Sequence, residues 1–147
     1  YNNFFKKGID ERLSDWVAFR TQLETSSTPF EDVWEFWRDA PFIGYNPNVN
    51  PYFQANWPRP WQIIVDNKYD DFTKALMKAW SLKLTKRFEN SKIEIRIYVD
   101  KLKTSVYNCV CVDEEWLINY IENEPISLKN LPESFLLENV IEVSTSR

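Results

Sequence analysis

The chain of 147 residues contains no histidine. That absence removes Ser-His-Asp and Cys-His-Asn triads, imidazole general-base chemistry and most transition-metal sites. Carboxylate, lysine, tyrosine or cysteine-only chemistry is what remains. The two glycines, Gly8 and Gly44, are too few for a Walker loop or a dinucleotide fingerprint, which need glycines at fixed spacing. The two cysteines, Cys109 and Cys111, lie two apart. On a strand they share a face without good disulfide geometry, and without histidine they cannot build a usual zinc site. They read as reduced, buried small residues of a reducing compartment. No apolar run approaches the length of a membrane span, and nothing resembles a signal peptide. The net charge of −4 is mild and does not mark a nucleic-acid-binding protein.

Aromatic residues are what the chain has in abundance: seven Trp, seven Tyr and ten Phe. Large rings serve cores and interfaces, so the composition is that of a globular domain. The length suits one domain, residues 1–147, with a helical part over 1–40, an aromatic and proline-rich strap over 41–60, and a helix plus antiparallel sheet over 61–147.

Apolar residues at Ile9, Leu13, Trp16, Val17, Phe19 and Leu23 predict a helix over 9–23. Pro29 follows Thr28 as a first helical residue behind an N-cap, with Glu31 and Asp32 in the first turn, and Pro41 stops this second helix. The strap carries Tyr45, Tyr52, Phe53 and Trp57 among five prolines. It is too aromatic for a free linker and reads as an ordered segment, either covering the core or offering those four residues as partner contacts. Pro60 to Val65 predicts one or two helical turns. Asp70 to Leu84 predicts a stronger helix with Phe72, Ala75, Leu76, Ala79, Trp80 and Lys83 on one side and Lys74, Lys78 and Ser81 opposite. Trp34, Trp37, Trp57, Trp61 and Trp80 read as core residues.

From Ile93 the period changes to two. Ile93, Ile95, Ile97 and Val99 alternate with polar residues, Val106 to Val112 is apolar on both faces and so central, and Trp116 to Ile121 is a third strand. The tail adds a short turn and one further edge strand. The fold class is therefore α+β, with N-terminal helices and a central helix packed on a C-terminal antiparallel sheet of three to four strands. Asp66, Asp70, Asp71, Glu31, Asp32 and Glu35 suggest helix caps and solvated faces more simply than an oxygen-ligand metal site. No cofactor or metal is expected. The basic residues from Lys83 to Lys103 are interleaved with acids and read as a mixed surface, with a polyanion-binding face as the sharper alternative.

With the elements placed, Trp57-Pro58-Arg59-Pro60-Trp61, the helix opening Asn67-Lys68-Tyr69-Asp70-Asp71-Phe72 and the strands after it resemble the transglutaminase-like cysteine proteinase superfamily. Its pattern is a Trp-and-Pro lead-in, a core helix opened by Gly-Asp-Cys-Glu-Asp-Tyr, then His on one strand and Asp on the next. The resemblance covers roughly residues 57–136, Leu131-Pro132-Glu133-Ser134-Phe135 looking like its closing segment. Residue by residue, Tyr69 falls on the nucleophile, Tyr107 or Asn108 on the histidine, and Asn119 on the acid. A phenol titrates far above a thiol, and neither a phenol nor an amide replaces imidazole as a base near neutrality. The resemblance thus implies a catalytically dead domain retained for its shape. Tyr45-Asn46-Pro47, Asn50-Pro51-Tyr52 and the Lys-, Asn- and Ile-rich composition also look like small proteins of tailed bacteriophages. That likeness implies a non-enzymatic virion component of head, neck or tail completion, assembled in the host cytoplasm with other virion proteins as a homo- or hetero-oligomer. The alternative is a cysteine hydrolase or amidase with a non-histidine mechanism through Cys109 or Cys111.

Overall fold

The computed structural model describes residues 3–121 and 124–145, with Ile121 described by its backbone alone. Among these residues are four α-helices: α1 (Ile9–Leu23), α2 (Pro29–Trp37), α3 (Pro60–Asp66) and α4 (Asp71–Lys83). Five strands follow: β1 (Ile93–Asp100), β2 (Ser105–Val112), β3 (Trp116–Ile121), β4 (Glu124–Ser127) and β5 (Phe135–Val143). The α+β class, helices first and sheet second, is as the pattern indicates. The strand count corrects the expected three to four. The extra strand is β4, whose four residues Glu-Pro-Ile-Ser carry a proline that reads as a loop, yet proline is tolerated on an edge strand.

The sheet is antiparallel in the order β4-β3-β2-β1-β5, which puts the doubly apolar β2 at its centre. β1 to β4 form a meander, and the chain then returns across the sheet so that β5 pairs with the outer side of β1. Helix α4 packs on one face through Ile93, Ile95, Ile97, Val110, Val112, Ile118, Ile141 and Val143. The opposite face carries Tyr98, Cys109, Cys111 and Leu117 beneath Leu128, Leu131 and Phe135 of the returning segment, which makes a second, smaller core.

Helix α4 is the centre of the molecule. It contacts α1 and α2 on one side and β1, β2 and β5 on the other. Its sequence nevertheless suggests one apolar face, with Lys74, Lys78 and Ser81 turned to water. Lys78 and Ser81 are instead buried, because two layers close on the helix from both sides. Ser81 Oγ accepts from the indoles of Trp16 in α1 and Trp37 in α2, at 3.0 and 3.1 Å, and donates to the Met77 carbonyl at 2.7 Å. One hydroxyl thereby uses its full bonding capacity to join three helices. Among the tryptophans read as core, Trp37, Trp57 and Trp80 are buried, while Trp61 is 47% exposed with the Arg59 guanidinium over its ring.

Candidate functional site

The loop before α4 is held from three sides. Asn67 ends α3 in a left-handed conformation (φ 55°), and its side-chain amide donates to the Phe5 carbonyl at 3.0 Å. Buried Arg12 of α1 donates to the Ile64 and Val65 carbonyls, so a cation closes the C-terminal end of α3. Asp70 is the N-cap of α4. Its Oδ1 accepts from the Thr73 N–H at 2.7 Å and the Thr73 hydroxyl at 2.6 Å, and its Oδ2 accepts from the Asn46 N–H at 2.9 Å. The second helix cap behaves differently: Thr28 makes no side-chain bond to its helix backbone, and its hydroxyl donates to Asp32 instead.

Tyr69 pairs by backbone with the strap, its N–H donating to Pro41 and its carbonyl accepting from Ile43. Its ring is fully buried on the helical side, 5.7 Å from Phe5 and 5.6 Å from Trp37 between centroids. The hydroxyl has no hydrogen-bond partner among the described residues, and burial pushes its pKa far above the ordinary phenol value. The helix-opening residue that faces the sheet is Asp71, not Tyr69.

From Asp71 a ladder of polar side chains crosses the seam between α4 and the sheet. Asn108 of β2 donates through Nδ2 to Asp71 Oδ2 at 2.8 Å. Asn119 of β3 donates through Nδ2 to the Asn108 carbonyl at 3.3 Å, and its Oδ1 accepts from Lys78 Nζ at 2.8 Å. Strand alternation would send Ile118 and Asn119 to opposite faces. The positive φ of Asn119 (77°), where the β3–β4 register shifts, lets both serve the α4 face. Tyr107 lies on the other face, stacked on Phe135 at 5.1 Å. The structure thus joins Asn108 and Asn119, and separates both from Tyr69 and Tyr107.

Lys78, which periodicity places on the surface, is the member missed from sequence. It is 5% exposed, and no carboxylate lies within salt-bridge distance of it among the described residues. Burial, then the Lys74 charge, pushes its pKa down to about 8, against a smaller opposing effect of Asp71. Two neutral amides and an exposed carboxylate supply no nucleophile; Lys78 is the member whose lowered pKa favours the neutral amine, and it is enclosed and hydrogen-bonded to Asn119. Cys109 and Cys111 are free and buried on the far face of the sheet, and burial raises both thiols, Cys109 to about 12. Burial and a raised pKa both disfavour the thiolate, the reactive form.

The acidic residues are engaged locally. Asp70 caps α4, Asp32 accepts from Ser26 and Thr28, and Glu35 pairs with Arg38. No group of three metal-ligating side chains converges among the described residues. Along Lys83 to Lys103, Lys92 and Arg96 pair with Glu114 and Glu94, while Lys83 and Arg87 donate to backbone carbonyls.

The strap is ordered by its polar residues. Asn46 bonds to Asp70, Lys68 and Asn48, and Asn50 accepts from Tyr52 N–H through its side chain and from the Trp57 indole through its carbonyl. Val49 and Trp57 are buried, Trp57 against Phe72. Of the four expected contact residues, Tyr45, Tyr52 and Phe53 are 60–64% exposed, whereas Trp57 belongs to the core. Phe42, at 69% exposure, is a further outward ring that the sequence did not single out. Comparison with protein-family models and with curated proteins finds no match to this chain.

Proposed function

We propose that the chain is a non-enzymatic assembly protein whose strap docks partner subunits through Tyr45, Tyr52 and Phe53. The observation that carries this reading is the contrast within the strap: its backbone is pinned by Asp70, Asn46 and Asn50, while these rings stand outward. Rigid, exposed aromatics lose little entropy on binding and are the residues that dominate interfaces. The two thiols, buried with raised pKa values on the far face of the sheet, support the non-enzymatic side. An α-helix opening against an antiparallel sheet, with Asn108 and Asn119 meeting beside it, is consistent with a transglutaminase-like scaffold emptied of its chemistry. A tailed-phage virion is the setting to which the Asn-Pro strap pattern points.

The test is mass and stoichiometry of the native assembly, with a Tyr52→Ser/Phe53→Ser variant beside it. The reading expects an oligomer or hetero-complex that the variant loses while its circular dichroism is unchanged. A monodisperse monomer in its native source, or an assembly indifferent to the variant, overturns it.

A further inference from the structure

Residues 40–58 contain no Asp, Glu, Lys or Arg, in a chain of which 27% is charged. The next longest stretch without a charge, 104–112, is less than half that length and is mostly the central strand β2. The strap is therefore the one long uncharged stretch on the surface. Charges of both signs resume around it, with Arg38 and Asp39 before it, Arg59 after it and Lys68 beside Asn46. Within it stand the outward rings of Phe42, Tyr45, Tyr52 and Phe53 and the exposed amides of Asn48 and Asn56. Backbone bonds close successive turns from Asn46 to Val49, Asn50 to Phe53 and Phe53 to Asn56. Both ends are fastened. Asn46 is tied to Asp70 and Lys68, and Gln54 Nε2 donates to the Glu142 carbonyl of β5 at 2.9 Å. An aromatic centre depleted of charge inside a charged rim is the anatomy of a protein interface.

We propose that the strap docks on the strap of a second copy of the chain, about a two-fold axis. This names the partner within the assembly reading above and rests on that reading. The missing charge is what argues for this occupant. A two-fold contact sets a surface against its own image, so a charge near the axis meets a like charge. A surface shaped for a different protein escapes that restriction, and uses opposite charges to steer the encounter and to reject wrong partners. The strap offers no charge for either purpose, and homodimer contacts are the more apolar kind. The whole chain carries −4, so two copies repel at long range, and an uncharged contact adds nothing to that repulsion. Size agrees as well. Fifteen of the nineteen residues are exposed or half-buried, against about 20–30 on each side of a stable interface, so the strap fills the centre and the rim supplies the remainder.

The experiment is sedimentation of the purified chain alone across a concentration series, at about 0.05 M and about 1 M salt. The expected result is a dimer no weaker at high salt than at low salt, because salt screens only the long-range repulsion. Phe53→Lys, which brings two like charges into the contact, should weaken the dimer at least about tenfold while circular dichroism is unchanged. A chain that stays monomeric throughout overturns the proposal. So does a dimer indifferent to Phe53→Lys, which forms through another face, or one that high salt dissolves, which is held by charge. If Phe53→Lys fails to fold, Asn48→Lys at an exposed turn replaces it, with the same expected and overturning results. The assembly reading is tested on the native complex. It survives a monomeric purified chain, and fails only where that complex is absent or ignores Tyr52→Ser/Phe53→Ser.

Discussion

Lys78 Nζ lies 2.8 Å from Asn119 Oδ1, and this neutral amide is the hydrogen-bond partner of a nearly buried ammonium in the middle of the central helix. Burying a charge without an opposite charge is costly, and the native amine responds by releasing its proton at about 8 rather than 10.5. The difference corresponds to a penalty of about 3 kcal/mol on the charged form, as an upper figure.

Replacement by methionine is therefore expected to stabilise the protein. Below pH 8 both folded and unfolded chains carry the Lys78 charge and the penalty is fully present. Between pH 8 and 10.5 the native amine is neutral while the unfolded one is charged, so unfolding binds a proton and the unmodified chain gains stability as pH rises. Lys78→Met should add about 1–2 kcal/mol at pH 6.5 after loss of the Asn119 bond. The advantage should shrink toward pH 10.5, as read by urea unfolding of both proteins at each pH.

Removing the hydroxyl that joins three helices should do the opposite. Ser81→Ala leaves the Trp16 and Trp37 indoles without their acceptor in a buried site. Each of the two orphaned donors costs about 1–3 kcal/mol, so a loss of about 2–6 kcal/mol is expected by chemical denaturation. Tryptophan fluorescence should change in the folded state at the same time.

Asp70 links helix and strap. Asp70→Ala removes a cap worth about 1 kcal/mol and strands the Asn46 N–H. A total loss of about 2–3 kcal/mol is expected. The discriminating readout is hydrogen exchange: protection of the Asn46 amide should fall well before that of amides within α4. Unchanged Asn46 protection beside weakened α4 amides would mean that the cap stabilises the helix alone and does not fasten the strap.

The thiols offer a third kind of check. With Cys109 raised to about 12 and both residues buried, iodoacetamide at pH 8 should leave the folded protein unlabelled and label both cysteines in denaturant. Rapid labelling of Cys109 in the folded state would revive a cysteine-based activity.

The legible parts of the fold were those with an uninterrupted period. The alternation of Ile93 to Val99 and the apolar runs 106–112 and 116–121 place β1, β2 and β3 within a residue or so of where they stand. β4 was not legible because its four residues include Pro125, and edge pairing needs no more than a free carbonyl side there. Lys78 was hidden for another reason. Periodicity assigns a helix one buried side, whereas α4 is enclosed by helices and sheet together. At the site, the resemblance singled out Tyr107 or Asn108 together with Asn119; the structure brings Asn108 and Asn119 together and leaves Tyr107 on the other face, and the register of the helix opening was not legible. Tyr69, Asp70 and Asp71 are consecutive, and on entering a helix each step turns the side chain toward a different layer. Trp57 and Trp61 show the same limit in the strap: one ring type, four positions apart, is buried before α3 and exposed on it.

The return of the chain from β4 to β5 has a consequence for biosynthesis. β1 to β4 leave the ribosome as a meander whose outer face bears Cys109, Cys111, Tyr98 and Leu117, and Leu128, Leu131 and Phe135 that cover them come afterwards. For about a second at ordinary elongation rates, two thiols and an apolar surface wait for their lid. The newborn chain is thus open to oxidation and to chaperones during an interval that the finished fold no longer shows.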